Sequence, residues 1–293
     1  MQIRSRLCFE LSKRLLPPPA VRTINYDAYG DWRNESLTTS WTHFSDAAIA
    51  GKDVLDFGCG DGQLSFFLAA HKRPRSIIGV DISDSAIERA NATLNNSPLA
   101  QNANVKFKLG AVNTPAVDAQ SVDTIVAFDC MEHVMEPEAI MRSWFAALRP
   151  GGRCLVEWSP YKGPWGPHMN SLVPIPWAHV VFGQKAMFET AEKIYDLPNF
   201  VPRHWDLDEA GGKKPNKWRQ WSSFKEQGYI NEIDIRNFER IAKAAGLRVA
   251  RLEKHSFGGS GLRRGIGRAL MSLPVIGEYF LSYAVVELVR PVV

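Results

Sequence analysis

The chain has 293 residues, of which 45% are apolar and 23% charged, so a globular protein with a sizeable core is expected. Its net charge of +4 is too small to indicate a nucleic-acid-binding protein by itself. None of the four cysteines lies in a CxxC pair, which argues against a zinc or redox motif and predicts free thiols in a reducing, cytoplasmic compartment.

The first residues, "MQIRSRLCFELSKRLLPPP", are basic but lack the long apolar stretch of a signal peptide. Ile3, Leu7, Leu11 and Leu15 recur every four residues, which predicts a short amphipathic helix that ends at the proline run. Packing against the domain is favoured for this helix, and peripheral membrane contact is the alternative.

Short apolar runs alternate with amphipathic stretches from about residue 52 to Trp158. Runs typical of strands are "KDVLDFGCG", "SIIGVDIS", "NVKFKLGAV", "VDTIVAFD" and "RCLVEW", and two more, "RVARLEKHS" and "YAVVELVRP", lie near the C-terminus. This alternation predicts a parallel sheet covered by helices on both faces. It stops after Trp158, and residues 159–230 are too many for a structureless loop. We therefore predict an inserted cap there.

The strongest motif is "VLDFGCGDG", in which a strand runs into Gly58, Gly60 and Gly62 and a helix follows. Glycines let a backbone approach a ligand closely and take positive φ. A dinucleotide site needs G-x-G-x-x-G, and here the third glycine comes one residue early, which disfavours an NAD-linked reductase. With Asp56 the motif is D-x-G-x-G-x-G. Together with "IIGVDIS", "FDCMEHV" and "LRPGG" it resembles the class I S-adenosylmethionine (SAM)-dependent methyltransferases.

This resemblance implies a doubly wound α/β fold with a mainly parallel seven-stranded sheet, whose last strand is antiparallel, and a cap lobe inserted between strands 5 and 6. The implied domains are an N-terminal helical segment closing over the cofactor (1–50), a SAM-binding core (51–158), a substrate-binding cap (159–230) and a completion of the core (231–293).

The resemblance also implies SAM as cofactor and S-adenosylhomocysteine as product. Gly58 and Gly60 would line the methionine part, Asp56 would orient their loop, and Asp81 would hold the ribose. Ile82 would pack on the adenine. Ala111 and Val112 would lie near the adenine amine, where many members have an acidic residue. Asp129 or Cys130 would face the methionyl moiety, and Arg33 would pair with the carboxylate of SAM. For Arg33, a helix packed on the sheet is an equal alternative. Cys59 is also expected among the cofactor-binding residues, as a small loop filler that is not reactive.

Candidates for the chemistry lie after strands, where open α/β sheets bind ligands. His168, in "GPHMN", is the first candidate for the general base that a hydroxyl acceptor needs, because histidine titrates near neutrality. A loop position bonded to backbone is an equal alternative. His133, in "MEHV", is the second candidate, with a structural role favoured, and Tyr161 could orient an acceptor or only pack. No metal ligand set is predicted.

The sequence determines the methyl acceptor less well than the fold or the cofactor. "FDCM" replaces the Asn/Asp-Pro-Pro-aromatic motif of enzymes that methylate nucleic-acid amines, and the uncharged, aromatic residues 163–184 suggest an apolar cavity wall. We predict O-methylation of a small-molecule acceptor, apolar or lipid-linked, in secondary-metabolite or glycan biosynthesis. Carbon or nitrogen methylation of an isoprenoid or polyketide-like acceptor is an alternative, and a non-catalytic SAM-binding regulatory subunit is another. The oligomeric state stays open.

Overall fold

The structure is a computed structural model that describes residues 3–17, 35–97, 104–112, 117–203, 206–208, 210–257 and 261–292. These residues form a seven-stranded sheet of β1 (Asp53–Phe57), β2 (Ser76–Asp81), β3 (Val105–Leu109), β4 (Val122–Phe128), β5 (Leu148–Trp158), β6 (Arg248–Ser256) and β7 (Leu281–Val289). The order is 3-2-1-4-5-7-6, and every strand except β7 runs parallel to the others. The predicted fold class is confirmed.

The labelled α-helices of the described residues are α1 (Ile3–Leu15), α2 (Gln63–His71), α3 (Asp84–Asn95), α4 (Pro137–Ala147), α5 (Ala178–Val181), α6 (Gln184–Asp196), α7 (Phe224–Gln227), α8 (Ile235–Ala244) and α9 (Leu262–Met271). Residues 35–41 are also helical. Local sequence explains several ends: the Ser83 hydroxyl caps α3 by accepting from the Ala86 amide, and Pro137 occupies the first turn of α4. Across the described part of the chain, no helix combines the length and apolarity needed to cross a bilayer.

The central strands are apolar on both faces because helices cover both sides of the sheet. In β4, Thr124 and the four residues after it are all buried. The Thr124 hydroxyl donates to the carbonyl oxygen of Ala48, so this polar group is satisfied inside the core. The chain order reverses between β1 and β4, and in such sheets the carboxyl ends of these strands form the ligand-binding crevice.

The chain divides into two compact units. The sheet unit comprises Asp27–Trp158, Ile235–His255 and Tyr283–Val293, and the insertion unit comprises Met1–Tyr26, Ser159–Asp234 and Ser256–Ser282. Each has its own buried apolar cluster; that of the insertion unit contains Cys8 from α1 together with Phe188 and Ile194 from α6. Helix α1 thus packs within the insertion unit. The functional boundaries expected for 1–50, 51–158, 159–230 and 231–293 stay predictions.

Candidate functional site

The glycine loop between β1 and α2 has the backbone that its sequence requires. Gly58, Gly60 and Gly62 have φ values of +74°, +52° and +82°. A Cβ on Gly58 would lie 2.8 Å from the Cβ of Cys130, and one on Gly62 would lie 2.5 Å from the Phe107 ring. At Gly60, by contrast, no described atom comes within 4 Å of such a Cβ, so the backbone there is open to a ligand.

Asp81, at the end of β2, accepts hydrogen bonds that hold this loop in place. Its Oδ2 accepts from the Gly60 amide at 2.8 Å, and its Oδ1 accepts from the Ser83 amide at 2.9 Å. A carboxylate oxygen has two lone pairs, so each can still accept a ligand hydroxyl. The carboxylate therefore both orders the glycine loop and remains available to a pair of ribose hydroxyls.

Asp56 lies beneath the same loop and is only 1% exposed. Its Oδ2 accepts from the Ser65 hydroxyl of α2 at 2.7 Å. This bond joins the end of β1 to the helix that follows the loop. Asp81, which the sequence associated with the ribose alone, also accepts directly from a loop glycine amide.

An apolar surface lies beside Asp81. Ile82 and Val112 are 67% and 69% exposed, and Ala111 is exposed next to Val112. Ile82 follows β2, and Ala111 and Val112 follow β3. The two strands pair with each other, and Asp81 lies opposite Leu109. Open glycine backbone, a carboxylate and exposed apolar side chains together fit the polar and planar parts of SAM.

The end of β4 places Asp129 and Cys130 in different environments. Asp129 is exposed with a φ of +51°, and its amide donates to the Glu157 carbonyl oxygen at 2.9 Å. Cys130 is buried, and its desolvation raises the pKa of the thiol well above the ordinary value. Desolvation, reinforced by Asp56 and Asp81, also raises the pKa of the Cys59 thiol. Neither thiol is therefore an activated nucleophile.

His133 lies in a short 3₁₀ turn, Met131–His133, where its amide donates to the Cys130 carbonyl oxygen at 2.9 Å. The neighbouring Glu132 is only 1% exposed. His133 thus lies inside a turn that follows β4, and its structural or catalytic role stays a prediction. Arg33 lies outside the described residues.

A cavity of about 820 Å³ lies in the insertion unit. Its lining includes the aromatic side chains of Trp165, Trp218, Trp221 and Tyr229, the basic side chains of Arg203 and Lys217, and His168. His168 is exposed, and its amide donates to the Trp165 carbonyl oxygen at 2.9 Å. Its φ of +54° is uncommon for a residue other than glycine, which is a feature seen at functional sites.

Tyr161 does not belong to the described lining of this cavity. Its ring packs edge-on against His179 and Phe224, and its hydroxyl accepts from Gln184 Nε2 at 3.1 Å. Burial, with a further contribution from Glu232, raises the pKa of the Tyr161 hydroxyl. We infer a packing role for Tyr161, so the two candidates that the sequence placed in one loop have separate surroundings.

His179 is a residue that the sequence did not single out. It is buried in α5 beside Tyr161, and desolvation lowers its pKa to about 4. Only its place in an apolar helix, "PWAHVVF", hints at burial. The folded protein therefore holds this imidazole neutral.

Replacing His179 with glutamine is expected to weaken the pH dependence of stability. Because the unfolded imidazole has a pKa of about 6.5, the unfolded chain binds a proton that the folded protein rejects between about pH 6.5 and pH 4. Folding stability therefore falls as the pH drops through this window, by about 2 kcal/mol at pH 4.5. Urea unfolding of wild type and His179→Gln at pH 7.0 and 4.5 measures the difference, with exposed His71→Gln as control. An unchanged pH dependence in His179→Gln would contradict the assignment.

A cluster of metal-ligand type lies in the sheet unit. Ligand atoms of His43, Glu253 and His255 all lie within 4.8 Å of one another. Each imidazole is 3.6 Å from Glu253 Oε2, and Arg251 Nη1 is 3.3 Å from Oε1. Two imidazoles and a carboxylate are ligand types that suit a divalent cation. Here the positive charge of Arg251 already compensates the negative charge of the Glu253 carboxylate. The sequence did not indicate this cluster, because its residues come from distant parts of the chain.

Comparison with protein families gives a match over most of the chain: a family model described as a methyltransferase domain matches residues 29–252. The ubiquinone biosynthesis O-methyltransferase of Coxiella burnetii (strain RSA 493 / Nine Mile phase I) is 35% identical over 105 residues. That match covers 36% of this chain and 42% of the relative, so the chain spans less than half the length of the curated relatives it matches.

Solved structures match more of the chain but with little sequence identity. The S-adenosylmethionine dependent methyltransferase from Mesorhizobium loti has a TM-score of 0.52 and 14% identity, and the match covers 91% of this chain and 100% of that one. The [4+2]-cyclase SpnF has a TM-score of 0.51 and 14% identity, with 89% and 82% covered. At this identity the likeness concerns the fold alone, and the cyclase shows that the fold does not set the chemistry.

Proposed function

Because the chain belongs to the SAM-dependent methyltransferases of the class I fold, we propose that it transfers the methyl group of SAM to an oxygen atom of a small-molecule acceptor. The observation that carries the proposal is the glycine loop fastened by Asp81, with open backbone at Gly60 beside exposed Ile82. Oxygen is favoured as the methylated atom because the curated relatives are named O-methyltransferases.

The cavity of the insertion unit supports a planar acceptor. Tryptophan side chains such as Trp165, Trp218 and Trp221 offer large flat faces on which an apolar ring can stack. Lys217 pairs with Asp206 at 2.6 Å, so the wall also has polar groups that can orient a hydroxyl or an anionic substituent. We propose that this cavity binds an apolar or lipid-linked ring compound.

Cys8, Cys59, Cys130 and Cys154 are all free and buried, which supports a cytoplasmic setting.

When bound, SAM supplies a methyl group on a positively charged sulfur, which is already activated for displacement. The side chains of this protein then have three tasks: Asp81 and the Gly60 backbone hold the donor, the insertion unit excludes water around the acceptor, and His168 takes a proton. SAM would supply the methyl group for the new O–CH₃ bond and leave as S-adenosylhomocysteine, which would keep the electron pair of the C–S bond. The hydroxyl proton of the acceptor would move to the His168 imidazole.

Replacing His168 with glutamine is expected to lower kcat by about 100-fold and leave the Kd for SAM unchanged, because a general base contributes about 10²–10⁴. S-adenosylhomocysteine release over a panel of ring hydroxyl acceptors measures turnover. His71→Gln, at an exposed histidine of α2 outside the cavity lining, is the control. His168→Gly keeps the positive φ, so imidazole rescue of that variant separates the proton acceptor from the backbone geometry.

Three results would overturn the proposal or parts of it. Unchanged kcat in His168→Gln would remove the base. A methyl group found by mass spectrometry on carbon or nitrogen would favour the alternative acceptors. SAM binding without turnover on any acceptor would favour the regulatory subunit.

A further inference from the structure

A segment of the insertion unit presents large apolar side chains to solvent. The α9 segment, defined here as residues 261–277, comprises helix α9 and the turn that follows it. Leu262 is 81% exposed and Val275 is 92% exposed, and Ile266, Leu273 and Ile276 are also at least 42% exposed. Such a cluster exceeds the singly scattered apolar residues of an ordinary protein surface.

The same segment has a one-sided charge. It contains Arg263, Arg264 and Arg268, all exposed, and no aspartate or glutamate. On a helix with 100° per residue, Leu262, Ile266 and Ala269 fall on one side, while Arg264 and Arg268 fall on the opposite side. A basic face opposite an apolar face is the pattern of a helix that lies in a membrane interface.

The segment packs on the rest of the unit through buried Gly267 and Gly277, while Leu262, Ile266 and Val275 stay exposed. Gly267 is buried, and a Cβ there would lie 2.5 Å from the Phe257 carbonyl oxygen. Next to the two ends of the segment, Trp177 packs edge-on against Phe257 and Phe280, and its Nε1 donates to the Tyr279 carbonyl oxygen at 2.6 Å. Val275 has a φ of +68°, a strained conformation for a β-branched residue, so the turn holds this side chain outward against a local energetic cost.

Helix α1, in the same unit, also buries small residues and exposes larger apolar ones. It buries Ser5, Cys8 and Ser12, and its larger residues Ile3, Leu7, Leu11 and Leu15 are all at least 42% exposed. Four basic residues and a single acidic one, Glu10, lie among them. The sequence favoured packing for this helix, and α1 does pack, through its small residues and partly buried Phe9.

From these features we propose that the α9 segment docks the protein onto the surface of an anionic lipid bilayer. The apolar side chains of Leu262, Ile266 and Val275 enter the headgroup boundary, and the three arginines meet the negative lipid charge. Helix α1 supplies a second basic, apolar contact of the same kind. The docking is peripheral, and the proposal does not rest on the catalytic function.

Charge selects the bilayer over a second copy of this chain. In a two-fold dimer through this segment, the same patch would face itself, which would bring Arg263, Arg264 and Arg268 of both copies together without an acidic residue of the segment between them. An anionic membrane instead offers a dense, opposite charge together with an apolar interior.

The test is flotation of the full chain with vesicles of phosphatidylcholine alone or with 30 mol% phosphatidylglycerol, at about 0.1 M salt. We expect binding only to the anionic vesicles. The combined variant Leu262→Ser, Ile266→Ser, Val275→Ser should weaken it at least about 10-fold. Arg263→Gln, Arg264→Gln, Arg268→Gln should weaken it about 100-fold, because each basic residue near an anionic surface contributes a few-fold to roughly 10-fold.

Matched controls come from the same unit. Val180→Ser with Val181→Ser changes two other exposed apolar residues, and Lys185→Gln with Lys225→Gln removes two exposed lysines outside the segment. Both controls should float like wild type. The proposal fails if wild type does not float with anionic vesicles, or if the controls lose binding as strongly as the segment variants. It also fails if the apolar variant converts a lipid-free dimer to a monomer in sedimentation, since a second copy would then cover the segment.

Discussion

Replacing Asp81 with asparagine is expected to raise the Kd for SAM by about 100-fold and to lower thermal stability modestly. In the variant, one side-chain oxygen becomes an amide nitrogen, so a donor faces either the Gly60 or the Ser83 amide and that bond is lost. The charge that strengthens hydrogen bonds to the ribose hydroxyls is lost as well. Two charge-assisted bonds at about 1.5 kcal/mol each correspond to this factor. Titration calorimetry with SAM on the purified chain measures it.

Asp84→Asn is the matched control, because Asp84 lies three residues further along the chain, is exposed, and has no part in the glycine loop. It should bind SAM like wild type. Equal affinity for SAM in Asp81→Asn and wild type would show that Asp81 serves only the architecture of the loop and that the ribose is held elsewhere.

Replacing Gly166 with alanine is expected to destabilise the insertion unit by about 3 kcal/mol, the upper part of the range for overpacking. A Cβ at this position would lie 2.1 Å from the carbonyl oxygen of Tyr161 and 2.7 Å from that of Pro160. Both contacts are with backbone, so a side-chain rotation cannot relieve them. The turn between Tyr161 and His168 would have to open. Urea unfolding followed by tryptophan fluorescence measures the loss, since Trp165 lies in this turn.

Gly265→Ala tests whether the loss is specific. Gly265 lies in α9, and the described residues leave the space around its Cβ empty to 4 Å. Alanine has the higher helix propensity, so this variant should be neutral or stabilised by up to about 1 kcal/mol. If Gly166→Ala unfolds at the same urea concentration as Gly265→Ala, the tight turn after β5 is not a determinant of stability.

The conformation of the glycine loop could be predicted because its signals are local in sequence. The glycines of "VLDFGCGDG" must adopt positive φ wherever a strand turns sharply into a helix, and Asp81 must lie at the same sheet edge once β2 is parallel to β1. What could not be predicted is that Asp81 bonds the Gly60 amide, since that contact joins two successive strand–helix units.

The surroundings of the acid–base candidates depended on packing between distant segments. Tyr161 and His168 are seven residues apart in sequence, yet one packs against α5 and α7 and the other lines a cavity. The burial of His179 and the gathering of His43 with Glu253 and His255 likewise depend on contacts between parts of the chain that no local pattern connects.

The sequence by itself determined the alternation of strands and helices, the glycine loop and the amphipathic character of α1, because these follow from backbone sterics and from side-chain periodicity. Only the tertiary structure decided which face of each helix is covered. Periodicity shows that a helix has an apolar stripe, but the shape of its neighbours decides what fits against it. In α1 and α9 the close approach is made by Ser5, Cys8 and Gly267, and several larger apolar side chains are left outside: Leu7, Leu11, Leu262 and Ile266.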